Sequence, residues 1–92
     1  MSAHERTNAD RADSAHIALR AYSADTRHDG SEIRDQEEMA EVLGDLLCDL
    51  HHLADSRGLK WGELTERGEM HHTHEVDSEY EDMIADRERG QE

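Results

Sequence analysis

Apolar residues recur at three- and four-residue spacing in three stretches of the chain, which predicts three amphipathic helices. The strongest pattern predicts a helix over residues 32–56, where the apolar positions fall within an arc of about 140°. Those positions are Met39, Val42, Leu43, Leu46, Leu47, Leu50, Leu53 and Ala54. This second helix should therefore present one broad apolar face.

The other two helices have narrower stripes. A first helix is predicted over residues 9–24, and a third over residues 60–76. The first stripe consists of Ala12, Ala15, Leu19 and Tyr22, and the third of Trp61, Leu64, Gly68 and His72. Small residues dominate the first stripe, so it offers little apolar surface to a core.

Turn and capping residues separate the predicted helices. The stretch 25–31 (DTRHDGS) has turn chemistry, and Ser31 could cap the second helix. Gly58 stands where a helix C-cap is expected, and the short link that follows predicts that the second and third helices are antiparallel neighbours. Gly44 lies inside the second helix, where glycine costs about 1 kcal/mol relative to alanine. A close crossing by another helix would explain a glycine at this position. Trp61 is expected to anchor the turn.

The elements together predict an all-α fold, a small three-helix domain built on an antiparallel helical hairpin. Residues 1–8 are expected to form a disordered lead and residues 9–76 the helical domain. The charged residues 77–92 are expected to form a frayed acidic tail or to extend the third helix. We see no strand pattern and no internal repeat.

Composition limits the core that such a domain can build. The chain has 92 residues, enough for one small domain, and it contains no Phe. Leu, Ile and Val together number 13, and eight of these lie between Ile33 and Leu59. Because so few apolar residues make a small core, we expect a homo-oligomer that enlarges it.

Charge excludes several functions. The formal net charge is -14, with 10 Lys and Arg against 24 Asp and Glu, so the chain has too few basic residues to form a basic surface for nucleic acid. No apolar run is long enough to span a membrane, and we expect no signal peptide.

Cys48 is the single cysteine, which rules out an internal disulfide and makes a reducing, cytoplasmic setting the expectation. The residues beside Cys48 are not basic, so we expect no catalytic role for it, and its position on the helix predicts that it is exposed or at an interface.

Carboxylates line the polar side of the second helix and suggest a binding surface. A small acidic helical body could bind a protein partner with a basic surface, as an inhibitor that imitates nucleic-acid charge, of the anti-restriction or anti-CRISPR type. The alternative is the solvated face of a merely soluble acidic protein. The candidate partner-binding residues are Glu37, Glu38, Glu41, Asp45, Asp49 and Asp55.

A metal site is a second interpretation of the same region. Hard cations such as Mg²⁺ or Mn²⁺ bind several oxygens on one face, and Glu69 and His72 have the three-residue spacing of di-metal helices. Antiparallel packing would bring this pair towards the second helix. The candidate ligands are Glu38, Glu41, Asp45, Glu69 and His72. The eight histidines could otherwise be surface groups that make an interaction pH-dependent.

Residues 41–64 (EVLGDLLCDLHHLADSRGLKWGEL) resemble the third helix and following turn of MazG-like all-α nucleoside triphosphate pyrophosphohydrolases. Gly44, Asp45, Leu46 and Leu47 match, and Asp45 fits the Asp of the family's E-x-x-D motif. Val42 stands at the motif's Glu position, with Glu41 beside it. The resemblance implies Mg²⁺ held by Glu38, Glu41 and Asp45 for nucleotide hydrolysis. The segment also looks like small acidic proteins of phages and mobile elements.

Standard catalytic motifs are missing from the sequence. It has no G-x-x-x-x-G-K-[ST], G-x-S-x-G or H-E-x-x-H pattern. The sequence therefore favours a non-enzymatic binding protein without a cofactor over a metal-dependent enzyme.

Overall fold

The computed structural model of the chain describes residues 6–27 and 33–90, with side chains through Arg87. Three α-helices occupy these ranges: α1 spans Asn8–Arg27, α2 spans Gln36–Ser56 and α3 spans Trp61–Gly90. Neither range contains a strand. The predicted all-α, three-helix class is therefore confirmed. Residues 1–5 of the expected lead lie outside the description.

A reciprocal cap starts α1. The backbone N–H of Asp10 donates to the hydroxyl of Thr7, and the N–H of Thr7 donates to the carboxylate of Asp10, each at 3.0 Å. Such a capping box satisfies donors that the first helical turn leaves free. The helix thus begins at Asn8 and continues through Arg27, beyond the predicted end. The rest of the predicted turn, residues 28–31, lies outside the described ranges.

A related cap starts α2, later than expected. The carboxylate of Asp35 accepts a hydrogen bond of 2.8 Å from the N–H of Glu38, and the backbone of Asp35 is extended, as an N-cap requires. Glu38 in turn accepts from the N–H of Arg34 at 2.8 Å. The cap is therefore Asp35. Ser31, the residue expected for this role, is not among the described residues.

The end of α2 confirms the cap predicted at Gly58. This glycine has φ 69°, a left-handed conformation that side chains other than glycine rarely adopt. The N–H of Leu59 donates to the carbonyl of Ala54 at 2.9 Å, and the N–H of Gly58 to that of Asp55 at 3.1 Å. These two bonds define a Schellman motif.

The third helix is longer than its apolar stripe. Residues 77–90 continue α3, the second of the two alternatives predicted for that segment. Trp61 and Leu64 are half-buried, whereas Gly68 and His72 are exposed. The Trp61 ring stacks on His51, with centroids 4.6 Å apart and planes 8° from parallel. Trp61 thus anchors the turn, and packing of the predicted stripe is confined to the first turn of α3.

The start of α1 docks on the middle of α3 through polar contacts. The backbone N–H of Asn8 donates to the carboxylate of Glu79 at 2.7 Å. The Asn8 side-chain amide donates to the carbonyl of Glu75 at 3.3 Å, and Arg11 pairs with the Glu75 carboxylate at 3.1 Å. Since these groups are at least partly exposed, they fix geometry more than they stabilise.

The core of the described chain is small. Leu19, Val42 and Ala54 are its buried apolar residues, joined by the polar Ser23. Ala12 and Ala15 of the predicted α1 stripe are exposed. The radius of gyration is 17.4 Å, against about 12 Å for a compact domain of this length. Part of this excess comes from α3, which is about 45 Å long. The monomer therefore leaves much apolar surface open.

Gly44 corrects one expectation. A Cβ added at this position would meet nothing within 4 Å in the described structure. None of the three described helices crosses closely there, so the interpretation of Gly44 as a crossing point within the chain was wrong. The physical reason is that α1 contacts the side of α2 marked by Glu38 and Asp49, about 120° or more around the helix from Gly44.

Candidate functional site

All the Asp and Glu side chains of α2 lie on one side of the helix. The helix contains six acidic residues and neither Lys nor Arg. At 100° per residue, the acids fall within an arc of about 120°. We call this surface the acidic face; it consists of Glu37, Glu38, Glu41, Asp45, Asp49 and Asp55. The remaining arc holds apolar, small or uncharged polar side chains and His51.

Three of the six acids are exposed and unpaired within the described ranges. Glu37, Glu41 and Asp45 are exposed. No ion pair or side-chain hydrogen bond joins any of the three to another residue within the described ranges. Their carboxylates are thus hydrated, and a partner with positive charge could reach them without displacing any contact of the fold.

Glu38, at the edge of the face, is used by the fold. Its carboxylate lies 3.0 Å from the Arg27 guanidinium and also accepts from the backbone N–H of Arg34. The Arg34 hydrogen bond, and then the Arg27 side chain, hold the pKa of Glu38 below its usual range. Glu38 therefore joins the end of α1 to the start of α2 and is less available to a partner or a metal.

Asp49 is the second acid that contacts α1. The Tyr22 hydroxyl donates to its carboxylate at 2.5 Å. This hydrogen bond to the neutral phenol, with smaller effects of burial and of nearby carboxylates, raises the pKa of Tyr22 to about 12. At the far end of the face, Asp55 lies 3.8 Å from the ring of His51. Glu38 and Asp49 thus join α2 to α1, whereas Asp55 contacts only a residue of its own helix.

The five residues predicted as metal ligands do not form a cluster among the described residues. The group of three that could hold an ion is instead Cys48, Asp49 and His52, whose ligand atoms lie within 4.8 Å of one another. All three are exposed, and the prediction of an exposed Cys48 is confirmed. Asp49 was predicted as a partner-binding acid, and Cys48 was not among the predicted ligands. The four-residue spacing of Cys48 and His52 was the signal for this trio.

A groove of about 420 Å³ lies beside the contact between α1 and α3. Its lining mixes both signs of charge, and some of these side chains already make the contacts between the two helices. It is lined by Arg6, Thr7, Arg11, His74, Glu75, Ser78, Glu79 and Asp82. The groove shows no convergent set of groups for a single chemistry, so the acidic face remains the best candidate site.

Comparisons with protein-family models, with curated proteins and with solved structures found no match for this chain. The described helices include none that is both long and apolar enough to cross a bilayer.

Proposed function

We propose that this chain is a non-enzymatic binding module whose acidic face engages a basic protein surface. The observation that carries the proposal is the row of six acids on α2, unbroken by Lys or Arg. Three of these acids, Glu37, Glu41 and Asp45, are exposed and form no side-chain hydrogen bond or ion pair with the described residues. A basic partner would also relieve the repulsion between like charges four residues apart, which costs a helix a few tenths of a kcal/mol per pair.

The spacing of these charges supports imitation of nucleic acid as the mode of binding. From Glu37 to Asp55 the row extends about 27 Å, with one acid per roughly 5 Å. One strand of duplex DNA carries a phosphate per about 3.4 Å. Occupation of a DNA-binding groove, as in an anti-restriction or anti-CRISPR inhibitor, is the use that fits this pattern.

A panel of basic nucleases, including a restriction enzyme and a Cas9–guide complex, provides the test. Displacement of labelled duplex DNA from one of them is the expected result, and added salt should weaken it strongly. The triple variant Glu37→Gln, Glu41→Gln, Asp45→Asn should bind roughly ten- to a hundredfold more weakly.

The matched control makes the same change of charge on α3. Glu63→Gln, Glu66→Gln, Glu69→Gln removes three exposed carboxylates away from the acidic face. We expect this control to compete nearly as well as the wild type. Equal losses in both triple variants would indicate bulk charge instead of a defined face, and no displacement from any nuclease would contradict the mimicry.

A metal-binding role is the second candidate, favoured by the trio Cys48, Asp49 and His52. A thiolate, a carboxylate and an imidazole suit Zn²⁺ better than the Mg²⁺ or Mn²⁺ expected from the sequence. The hydrogen bond from Tyr22 would orient the Asp49 ligand. Calorimetric titration of the untagged, reduced protein with Zn²⁺ should then show stoichiometric binding that His52→Ala abolishes and His71→Ala preserves. Equal binding by both variants would contradict the site.

A further inference from the structure

The apolar side of α2 is largely uncovered. Its leucines Leu43, Leu47, Leu50 and Leu53 are 43%, 55%, 40% and 52% exposed. We call these four residues the leucine face. Among the other residues of α2, Val42 and Ala54 are buried. The apolar side of α2 is thus buried within the chain at Val42 and Ala54, whereas the described chain leaves its four leucines partly open to water.

The spacing of this face is that of a helix-pairing surface. Leu43, Leu47 and Leu50 are separated by four and then three residues, and the exposed Ala40 precedes Leu43 by three. An average spacing of 3.5 residues keeps a seam directed at a second helix along its length. The exposed leucines are therefore arranged as a continuous seam rather than scattered.

We propose that the leucine face is covered by the leucine face of a second copy of this chain, so that two α2 helices pair. This inference is independent of the proposed function. The contact is symmetric, so that the same residues of each copy form the interface.

Charge is the first reason for a second copy. The flanks of the leucine face carry Met39, Leu46, Ala40, Gly44 and His51, with no Asp, Glu, Lys or Arg among them. The acidic face lies on the opposite side of α2. Pairing through the leucines therefore keeps the acids of both copies outward, although each chain has a formal charge of -14. Asp49, one turn before Leu53, is the acid nearest to the leucines around the helix, and it already accepts a hydrogen bond from Tyr22. A basic partner would therefore find little acidic charge beside the seam.

The small core is the second reason. Three buried apolar residues and a radius of gyration of 17.4 Å describe a chain that buries little by itself. Chains of this size with too little core gain stability by oligomerisation. A membrane surface is the weaker occupant, because helices that lie on anionic membranes carry Lys and Arg on their polar side and α2 carries neither.

Analytical ultracentrifugation of the full chain, over a roughly hundredfold range of concentration, tests the proposal. We expect a monomer–dimer equilibrium that added salt strengthens, because screening reduces repulsion between the two acidic chains. Binding through the acidic face would respond to salt in the opposite direction, so failure of one proposal is distinguishable from failure of the other. A monomer at all concentrations and salt levels would overturn the pairing.

Two substitutions locate the contact. Leu47→Gln should weaken the dimer at least about tenfold. Ile17→Gln on α1, where the isoleucine is 69% exposed against 55% for Leu47, should leave the dimer intact. Equal effects of the two would overturn the assignment to the leucine face.

A measurement on the unaltered protein covers the case in which Leu47→Gln fails to fold. Coupled dimerisation makes the melting temperature of the wild type rise with protein concentration. The native Cys48, on the acidic side of α2, should react with a thiol reagent equally fast in monomer and dimer. A constant melting temperature, or a dimer that protects Cys48, would overturn the proposed contact.

Discussion

The hydroxyl of Tyr22 donates a 2.5 Å hydrogen bond to the carboxylate of Asp49 and so joins α1 to α2 across 27 positions of the sequence. The bond favours the neutral phenol, because a tyrosinate would lose the donor and face a carboxylate. It raises the pKa of Tyr22 to about 12. A raised pKa in the folded state means that this contact stabilises the fold below about pH 10, the pKa of an unfolded tyrosine.

Alkaline titration should show this effect directly. In a Tyr80→Phe background, Tyr22 is the remaining tyrosine, and its ionisation is followed by ultraviolet absorbance. We expect ionisation near pH 12, with the stabilisation lost as pH rises from about 10 through that value. Asp49→Asn should lower the pKa, whereas Asp55→Asn should not. An ordinary tyrosine titration in the Tyr80→Phe protein would contradict the hydrogen bond.

Acid should weaken the other link between α1 and α2. The pKa of Glu38 is lowered by the Arg34 N–H and by Arg27, so its contribution is present above the ordinary glutamate pKa and is lost as pH falls through the folded value. Glu38→Gln should therefore be less stable than the wild type near neutral pH, and the two should converge in acid. Urea unfolding at several pH values measures this difference.

Glu37→Gln is the matched control for that experiment. It removes a neighbouring carboxylate that is exposed and makes no side-chain contact within the described residues. Its stability relative to the wild type should vary little with pH. A convergence in acid as large as that of Glu38→Gln would show that net charge, rather than the Arg27 and Arg34 contacts, sets the pH dependence.

The N-cap of α2 rests on Asp35, whose carboxylate accepts from the N–H of Glu38 at 2.8 Å. Asp35→Ala leaves that N–H without its side-chain acceptor and should lower the free energy of unfolding by about 1 kcal/mol. Gln36→Ala, one residue into the helix, should change it by only a few tenths. Thermal unfolding followed by circular dichroism compares the two. Equal stability of the two variants would rule out Asp35 as the cap.

The fold was predictable where local chemistry decides it. Helical periodicity predicted three helices, and Gly58 predicted the end of α2 because its left-handed backbone conformation suits a glycine. The start of α2 was missed because Ser31 and Asp35 are both good caps, and the choice depends on the bond to Glu38. Sequence alone does not decide between equivalent local signals.

The candidate site was predictable in outline only. Helical spacing predicts that the six acids of α2 share one side of the helix. Which of them contact the fold and which stay open depends on α1. Tyr22 and Arg27 reach Asp49 and Glu38 from another helix, and such long-range partners leave no periodic signal. The role of Gly44 was misjudged for the same reason, because the neighbours of a glycine are set by tertiary packing.

Gly44 offers a last test, of both the monomer and its pairing. An added Cβ meets nothing within 4 Å at Gly44 or at Gly68, so neither position has a packing reason to be glycine within the described chain. Gly44→Ala and Gly68→Ala should each raise the free energy of unfolding by about 0.5 to 1 kcal/mol. Chemical denaturation at low protein concentration measures both.

The comparison of the two glycines becomes informative at high protein concentration. Gly44 flanks the leucine face on α2, whereas Gly68 belongs to another helix, α3. If a second copy packs closely against α2, a methyl group at Gly44 will meet it, and Gly44→Ala will lose part of its gain as the dimer forms. Gly68→Ala should keep its gain throughout. Identical gains at every concentration would show that the second helix stays clear of Gly44.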